Sequence, residues 1–435
     1  MHTRLGLFPN YPPSSSRTIC SLIYNDRVTL PVTIQKISYK GGIPLKSYTP
    51  SNAVQQLPEQ FFAKLVNKLR THQDKGHDVL NLGQGNPDQP TPDHIVKSLQ
   101  EAAEKPLYHK YPPFHGFEFL KEAVATFYKR EYDVDLDPET EVAILPGSKT
   151  GLVELSQCFL NPGDVALMPD PGYPDYWSGV AMMGATMEPM PLKREHDFLP
   201  DYDSISQKTW EKSKLMFLNY PNNPTGAVAD RAFFEKTIQE ADRHDVCVIH
   251  DFAYGAIGFD GVKPISFLQV PGAKDVGVEI YTMSKSYNMA GWRIAFAVGN
   301  RSVIETLEKI QDHYFCSIFG AEQEAAATAL LASQECVDDL RQTYESRRDL
   351  LVGGLKDLQY EVQPCHGSFF VWLKVPGSYT SESFADDLLE KVGLFVAPGI
   401  GFGSHGEGYV RIGLNNSEET LKDALRRFED FKNGS

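Results

Sequence analysis

The sequence predicts an α/β fold: a large domain with a mostly parallel sheet between helices, plus a smaller α+β domain. Three observations point there. The 435 residues are more than one compact core normally takes. From about Glu141 onward, short apolar runs alternate with helical patterns, the signature of a parallel sheet covered by helices. After about Ala321 the texture changes to helices interrupted by isolated strand-like runs.

Residues 1–44 stand apart, with five basic side chains (Arg4, Arg17, Arg27, Lys36, Lys40) against one acid, Asp26. They show neither a clear amphipathic helix nor a secretory apolar core. They read as an atypical extension from a mis-called start, because Lys40-Gly41-Gly42 is encodable by a purine-rich ribosome-binding sequence and Leu45 follows a short spacer later. The first helical pattern is LPEQFFAKLVNKL. The apolar runs follow: VAILPG, VALMPDPGYPDY, KLMFLNYPNNPTG, VCVIHDFAYG, IYTMSKSYN and IAFAVGN. Most end in a polar or Gly/Pro-rich turn. Ligands of open α/β sheets lie at the carboxyl ends of the strands, so these turns are expected to converge on one site. The C-terminal part reads as the helix VDDLRQTYESRRDLLVGGLKDL, the strands SFFVWLKV and YVRIGL, and the amphipathic helix EETLKDALRRFEDF. The large domain is assigned to residues 86–320, and the small one to 45–85 together with 321–435.

A formal net charge of −15 argues against a nucleic-acid partner, which needs clustered Lys and Arg. No uninterrupted apolar run has the length of a membrane helix. Six cysteines without paired spacing fit neither a zinc site nor a disulfide framework and suit a reducing cytoplasm.

The chemistry concentrates in YTMSKSYNMAGWR, where Lys285 lies among Thr282, Ser284 and Ser286, with Arg293 downstream. A lone loop lysine is ordinarily a solvated residue. Here hydroxyls and a guanidinium supply the donors a phosphate monoester needs. A Schiff-base lysine also requires a desolvated setting, which lets the neutral amine attack a carbonyl. In PGSKTGLVEL, Gly147, Ser148 and Lys149 fall where a strand ends and a helix begins, a place suited to phosphate. Asp251 closes the apolar run VCVIH, where a buried carboxylate without a partner is costly. Read alone, Tyr173 is packing, Asn-Pro-Thr-Gly is a turn, and Arg411 is an edge-strand surface residue.

Together these segments resemble the class I/II aminotransferases, enzymes of fold type I that depend on pyridoxal 5′-phosphate (PLP). The family signature is Ser/Thr-x-x-Lys followed by Gly-x-Arg, and the resemblance spans nearly all of residues 50–430. It implies PLP as cofactor, with Lys285 as its covalent attachment and the catalytic acid–base. It implies phosphate contacts from Thr282, Ser284 and Arg293, with Gly147, Ser148 and Lys149 as the phosphate cup. Tyr173 is implied to stack on the pyridine ring, and Asp251 to hold the ring nitrogen protonated. Asn223 and Tyr254 are implied to bond the phenolic O3′, with Asn223 also at the substrate. Arg411 is implied to grip the substrate α-carboxylate, and Gly85 to bring backbone close to the substrate. Tyr111 is implied to reach the phosphate of the neighbouring subunit, which makes the active unit a homodimer with shared sites.

Dicarboxylate-specific members carry a further arginine, absent from QDHYFCSIFGAEQ; a neutral, partly apolar substrate side chain is therefore predicted. His313 in that segment is either a substrate contact or structural. LGQGNPDQPTP, PDPGYPDYWSGV, LNYPNNPTGAV, HDFAYGA and SYNMAGWR resemble the methionine-salvage aminotransferases of Bacillus-type bacteria. That resemblance implies transamination of 4-methylthio-2-oxobutanoate to methionine. Aromatic and N-acetyl-diaminopimelate aminotransferases and PLP-dependent C–S β-lyases share the scaffold and are the alternatives. A PLP-binding transcription regulator would need a basic helix-turn-helix domain in front, and residues 1–44 are too short for one.

Overall fold

Seven strands build the sheet that carries the site, and alternation of buried side chains along them divides the large core in two. The computed structural model describes residues 47–314 and 317–434. The extension 1–44 and its reading as a mis-called start lie outside the described residues, as do Cys20 and Cys316. In chain order the strands are β1 (Leu80–Asn81), β2 (Val142–Leu145), β3 (Val165–Asp170), β4 (Thr186–Pro191), β5 (Ser213–Leu218), β6 (Cys247–Asp251), β7 (Gly277–Thr282), β8 (Ala295–Gly299), β9 (Phe370–Lys374), β10 (Leu394–Phe395), β11 (Ala397–Pro398) and β12 (Tyr409–Gly413).

The large sheet has the order β2-β8-β7-β6-β5-β3-β4. Pairing is parallel from β7 through to β4, whereas β8 runs antiparallel to both of its neighbours. All six predicted apolar runs end up as strands that are almost wholly buried, as expected where helices cover both faces. Alternate residues point to opposite faces. Val142, Ile144, Leu167, Met216 and Val248 therefore join one apolar cluster, while Ala143, Leu145, Ala166, Leu215 and Ile249 join the other. Strand β4 had no counterpart among the predicted runs. It holds Pro189 and Pro191 and is largely exposed, and a proline is tolerated there because β4 forms the sheet edge.

Residues from Pro50 onward group into one compact unit. Within it, β11-β12-β9 form a small antiparallel sheet, and β1 pairs in parallel with β10. The helices Glu335–Asp357, Ser381–Val392 and Glu418–Asn433 pack with these strands around a separate core that includes Leu351, Phe384, Val410 and Leu421. The pattern LPEQFFAKLVNKL becomes the helix Phe61–Asp74, which starts after its first four residues. No described helix is long and apolar enough to cross a membrane.

Candidate active site

The turns that follow β2, β3, β5, β6 and β7 at the carboxyl end of the large sheet deliver side chains to one cavity of about 340 Å³. β7 ends at Thr282, and the short helix Met283–Ser286 that follows carries Ser284 and Lys285. The Thr282 hydroxyl caps that helix by accepting from the Ser284 backbone N–H at 3.2 Å. Because β8 runs antiparallel, its first residues lie at the same end of the sheet, which places Arg293 opposite the start of the helix Ser148–Phe159. A Cβ on Gly147 would sit 2.3 Å from the Arg293 guanidinium, and Gly147 has φ +95°, so only glycine serves here. Arg293 itself holds a left-handed conformation (φ 58°), with Nη1 donating to the Ala290 carbonyl at 2.9 Å.

Lys285 Nζ donates to the Gly85 carbonyl at 2.9 Å. Burial, reinforced by the positive charges of Arg411 and Arg293, pulls its ammonium down to about 8. Arg411, on β12, is buried and stacks 4.0 Å from the Phe370 ring centroid. Its Nη1 donates to Asn223 Oδ1 at 2.9 Å and its Nη2 to the Gly83 carbonyl at 2.8 Å, while Nε has no partner. Burial lowers this guanidinium to about 10. A Cβ on Gly85 would meet the Phe370 ring at 2.8 Å, so this glycine permits the close approach of loop and ring.

Asp251 ends β6. Its Oδ2 accepts from the Tyr176 hydroxyl at 2.8 Å, but Oδ1 is buried with no partner. Burial raises its carboxyl above the ordinary value, with the Tyr176 bond and the neighbouring His250 acting against the rise. An orphaned carboxylate oxygen facing a cavity fits a cationic ring nitrogen, the partner PLP supplies. At the other end of the cavity, Ser148, Thr282, Ser284 and Arg293 provide donors for a phosphate, so the residues present fit the cofactor at both ends.

The cavity brings together Gly85, Ser148, Lys149, Tyr173, Asn223, Asp251, Tyr254, Thr282, Ser284, Lys285, Arg293 and Arg411, with Gly147 packed against Arg293 behind them. The Lys149 ammonium is turned to Asp175 at 2.9 Å, which leaves its position at the helix start as its route to a phosphate. Tyr111 lies outside the cavity, 89% exposed beside Leu107, Pro113 and Phe114. His313 is exposed near the end of the helix Arg301–Tyr314 and does not line the cavity. Sequence reasoning missed Tyr176 and Asn219. The Asn219 amide donates to the Asp251 carbonyl at 2.7 Å and its Oδ1 accepts from the Asn223 N–H at 2.8 Å. Both belong to quoted motifs, and a polar residue just past a strand end was the available signal. The apolar wall of Phe62, Leu65, Val66, Phe370 and Phe395 gave no signal, because these residues are scattered along the chain and look like ordinary core. Among the described residues, no group of three or more His, Cys, Asp or Glu could hold a metal ion.

Fold type I topology, a half-buried lysine at the sheet's carboxyl end and an orphaned aspartate oxygen together define a PLP-dependent enzyme. The chain belongs to the class I and II aminotransferase family, whose pattern matches residues 77–428, and it is a PLP-dependent aminotransferase. It is 60% identical over 380 residues to the L-glutamine–4-(methylsulfanyl)-2-oxobutanoate aminotransferase of Bacillus subtilis, covering 87% of this chain and 96% of that one. It is 44% identical to the LL-diaminopimelate aminotransferase of Halothermothrix orenii, covering 87% and 98% of the two chains. The apo structure of BacF from Bacillus subtilis superposes with a TM-score of 0.85 at 48% identity, covering 88% of this chain and 98% of that one.

Proposed function

We propose that this aminotransferase moves an amino group between a neutral amino acid and an α-keto acid, with 4-methylthio-2-oxobutanoate converted to methionine. The observation that carries this reading is the charge inventory of the cavity. Its cations are Lys149, Lys285, Arg293 and Arg411, and each has a place in phosphate, catalysis or α-carboxylate binding. Among the described lining residues, none is left for a second carboxylate. The apolar part of the wall is Phe62, Leu65, Val66, Phe370 and Phe395, suited to an unbranched apolar side chain. The similar Bacillus subtilis aminotransferase carries 4-(methylsulfanyl)-2-oxobutanoate in its name, which agrees with that wall.

Bound PLP supplies an electron sink that stabilises charge on the substrate Cα. Arg411 fixes the substrate carboxylate through its fork and so aims the Cα–H bond. Lys285 Nζ would serve as the general base and then the general acid for the Cα proton, a role its lowered pKa suits. Asp251 would hold a proton on the ring nitrogen, Asn223 and Tyr254 would bond the ring oxygen, Tyr173 would pack against the ring, and Gly147, Ser148, Lys149, Thr282, Ser284 and Arg293 would hold the phosphate. The same reading divides the chain into a large part, 86–320, and a small part built from 45–85 and 321–435. It also includes a homodimer in which Tyr111 reaches the partner's phosphate, and a cytoplasmic location, supported by free thiols at Cys158, Cys247, Cys336 and Cys365.

Two half-reactions followed by cofactor absorbance test the proposal. Methionine is expected to consume the aldehyde form and 4-methylthio-2-oxobutanoate to restore it, with aspartate inert. Cycling with aspartate would overturn the neutral-substrate reading. Release of pyruvate and ammonia without cycling would move the chemistry to β-elimination.

A further inference from the structure

Two backbone carbonyls of one loop serve the site from behind. Gly83 accepts from Arg411 Nη2 at 2.8 Å and Gly85 accepts from Lys285 Nζ at 2.9 Å. The loop is irregular, and its own strand, β1, is two residues long. Something else must hold those carbonyls in place.

The anchor is Arg347, a buried residue inside the long helix Glu335–Asp357. Its guanidinium grips Asp88 with both arms, Nη1 to Oδ1 at 2.9 Å and Nη2 to Oδ2 at 2.8 Å. The same Nη1 also donates to the Leu414 carbonyl at 3.1 Å, just past the end of β12. One side chain thus ties the loop to the strand that carries Arg411. Three further bonds run along the seam: the Gly413 N–H donates to the Leu82 carbonyl at 2.7 Å, Asn415 Nδ2 to the Asn86 carbonyl, and Asn416 Nδ2 to the Asn81 carbonyl at 3.2 Å. On its far side the loop reaches the lysine segment, where the Thr91 hydroxyl donates to the Asn288 carbonyl at 2.8 Å. A bidentate arginine–carboxylate pair sets angle as well as distance, and partial burial protects it from screening.

We propose that Asp88 and Arg347 are positioning residues of this enzyme: their ion pair locks loop 82–88 to β12, so that its carbonyls hold Arg411 and Lys285 in working orientation. The inference rests on the reading of Arg411 as the α-carboxylate ligand.

The next residue of the helix provides an internal control. Arg348 grips Asp260 with the same two-armed geometry, at 2.9 and 2.7 Å, but away from the cavity. Asp88→Asn and Asp260→Asn each weaken a two-armed pair on one helix, and only the first touches the loop. The probe is hexanoate, a carboxylate with neither amino nor keto group, titrated by calorimetry into cofactor-free and cofactor-loaded protein. Asp88→Asn is expected to weaken hexanoate at least tenfold in both forms, and to raise KM for methionine while lowering kcat. Asp260→Asn is expected to stay within twofold of the parent chain. Arg347→Lys keeps the charge but cannot bond Asp88 twice and Leu414 at once, so it should fall between them; it also serves if Asp88→Asn does not fold. Hexanoate affinity within twofold of the parent in Asp88→Asn and Arg347→Lys would overturn the proposal, as would equal losses in Asp88→Asn and Asp260→Asn. Arg411→Lys separates the two claims. If that variant binds hexanoate as tightly as the parent chain, the carboxylate role of Arg411 fails and the positioning role fails with it.

Discussion

Lys285 is a half-buried ammonium held where an ammonium is disfavoured, within the positive field of Arg411 and Arg293. Its folded value of about 8 lies below the ordinary 10.5, so between those values the unfolded chain binds more protons than the folded one. Stability of the cofactor-free protein therefore rises through this group as pH increases from about 8 toward 10.5. Below about 8 the folded state carries the full cost of a confined charge. Lys285→Met removes that cost, and is expected to raise the unfolding free energy at pH 7 by up to about 3 kcal/mol. The gain should shrink near pH 10, and denaturant melts at the two pH values check it; no gain at pH 7 would contradict the charge-burial account. At this scale the sequence was highly legible. Lys285, Asp251, Asn223, Thr282, Ser284 and Arg411 all line the cavity because each sits in a motif at a strand end or in a strand of the site. The Lys149 ammonium was not legible, since its pairing with Asp175 depends on how two separate turns meet.

Elements deliver these residues through their ends, and a site built on strand ends inherits the stiffness of the sheet. Asp251 shows how neighbouring elements share the task. β6 presents the carboxylate, and the helix Tyr176–Met182 presents a side-chain donor to its Oδ2. Tyr176→Phe removes a hydrogen bond to a group that must stay charged, worth about 1.5–3 kcal/mol. The expected result is a fall in kcat on the order of tenfold or more, with unchanged fold by circular dichroism; unchanged kcat would mean that the bond does not hold the carboxylate in its working state. Strand β4 escaped sequence reading because its prolines suppress the strand signal, while its place at the edge makes them harmless. The reversed direction of β8 also left no trace in an apolar run, yet it is what brings Arg293 to the phosphate end of the cavity.

At the scale of the whole molecule, an exposed apolar patch lies outside the cavity. Leu107, Tyr111 and Phe114 are 59%, 89% and 53% exposed, next to Pro112 and Pro113. Such a cluster suits burial against a second copy. Sedimentation at micromolar concentration is expected to give twice the chain mass. Leu107→Glu is expected to shift the protein toward monomer and to lower activity in proportion. A fully active monomer would remove the shared-site reading and the role of Tyr111 with it.

Local chemistry alone was enough for the class of fold, the apolar strands, the cofactor and most of the residues that line the cavity. Strand burial follows from side-chain type, and turns that must meet a phosphate or a ring need particular residues in particular order. Other features arise only when distant segments meet. The cavity wall draws on Phe62, Phe370 and Phe395, and the clamp of Asp88 by Arg347 joins residues far apart in the chain. Apolar packing and long-range ion pairs carry no spacing rule that a linear chain could display, because their partners are chosen by the folded backbone rather than by their neighbours in sequence.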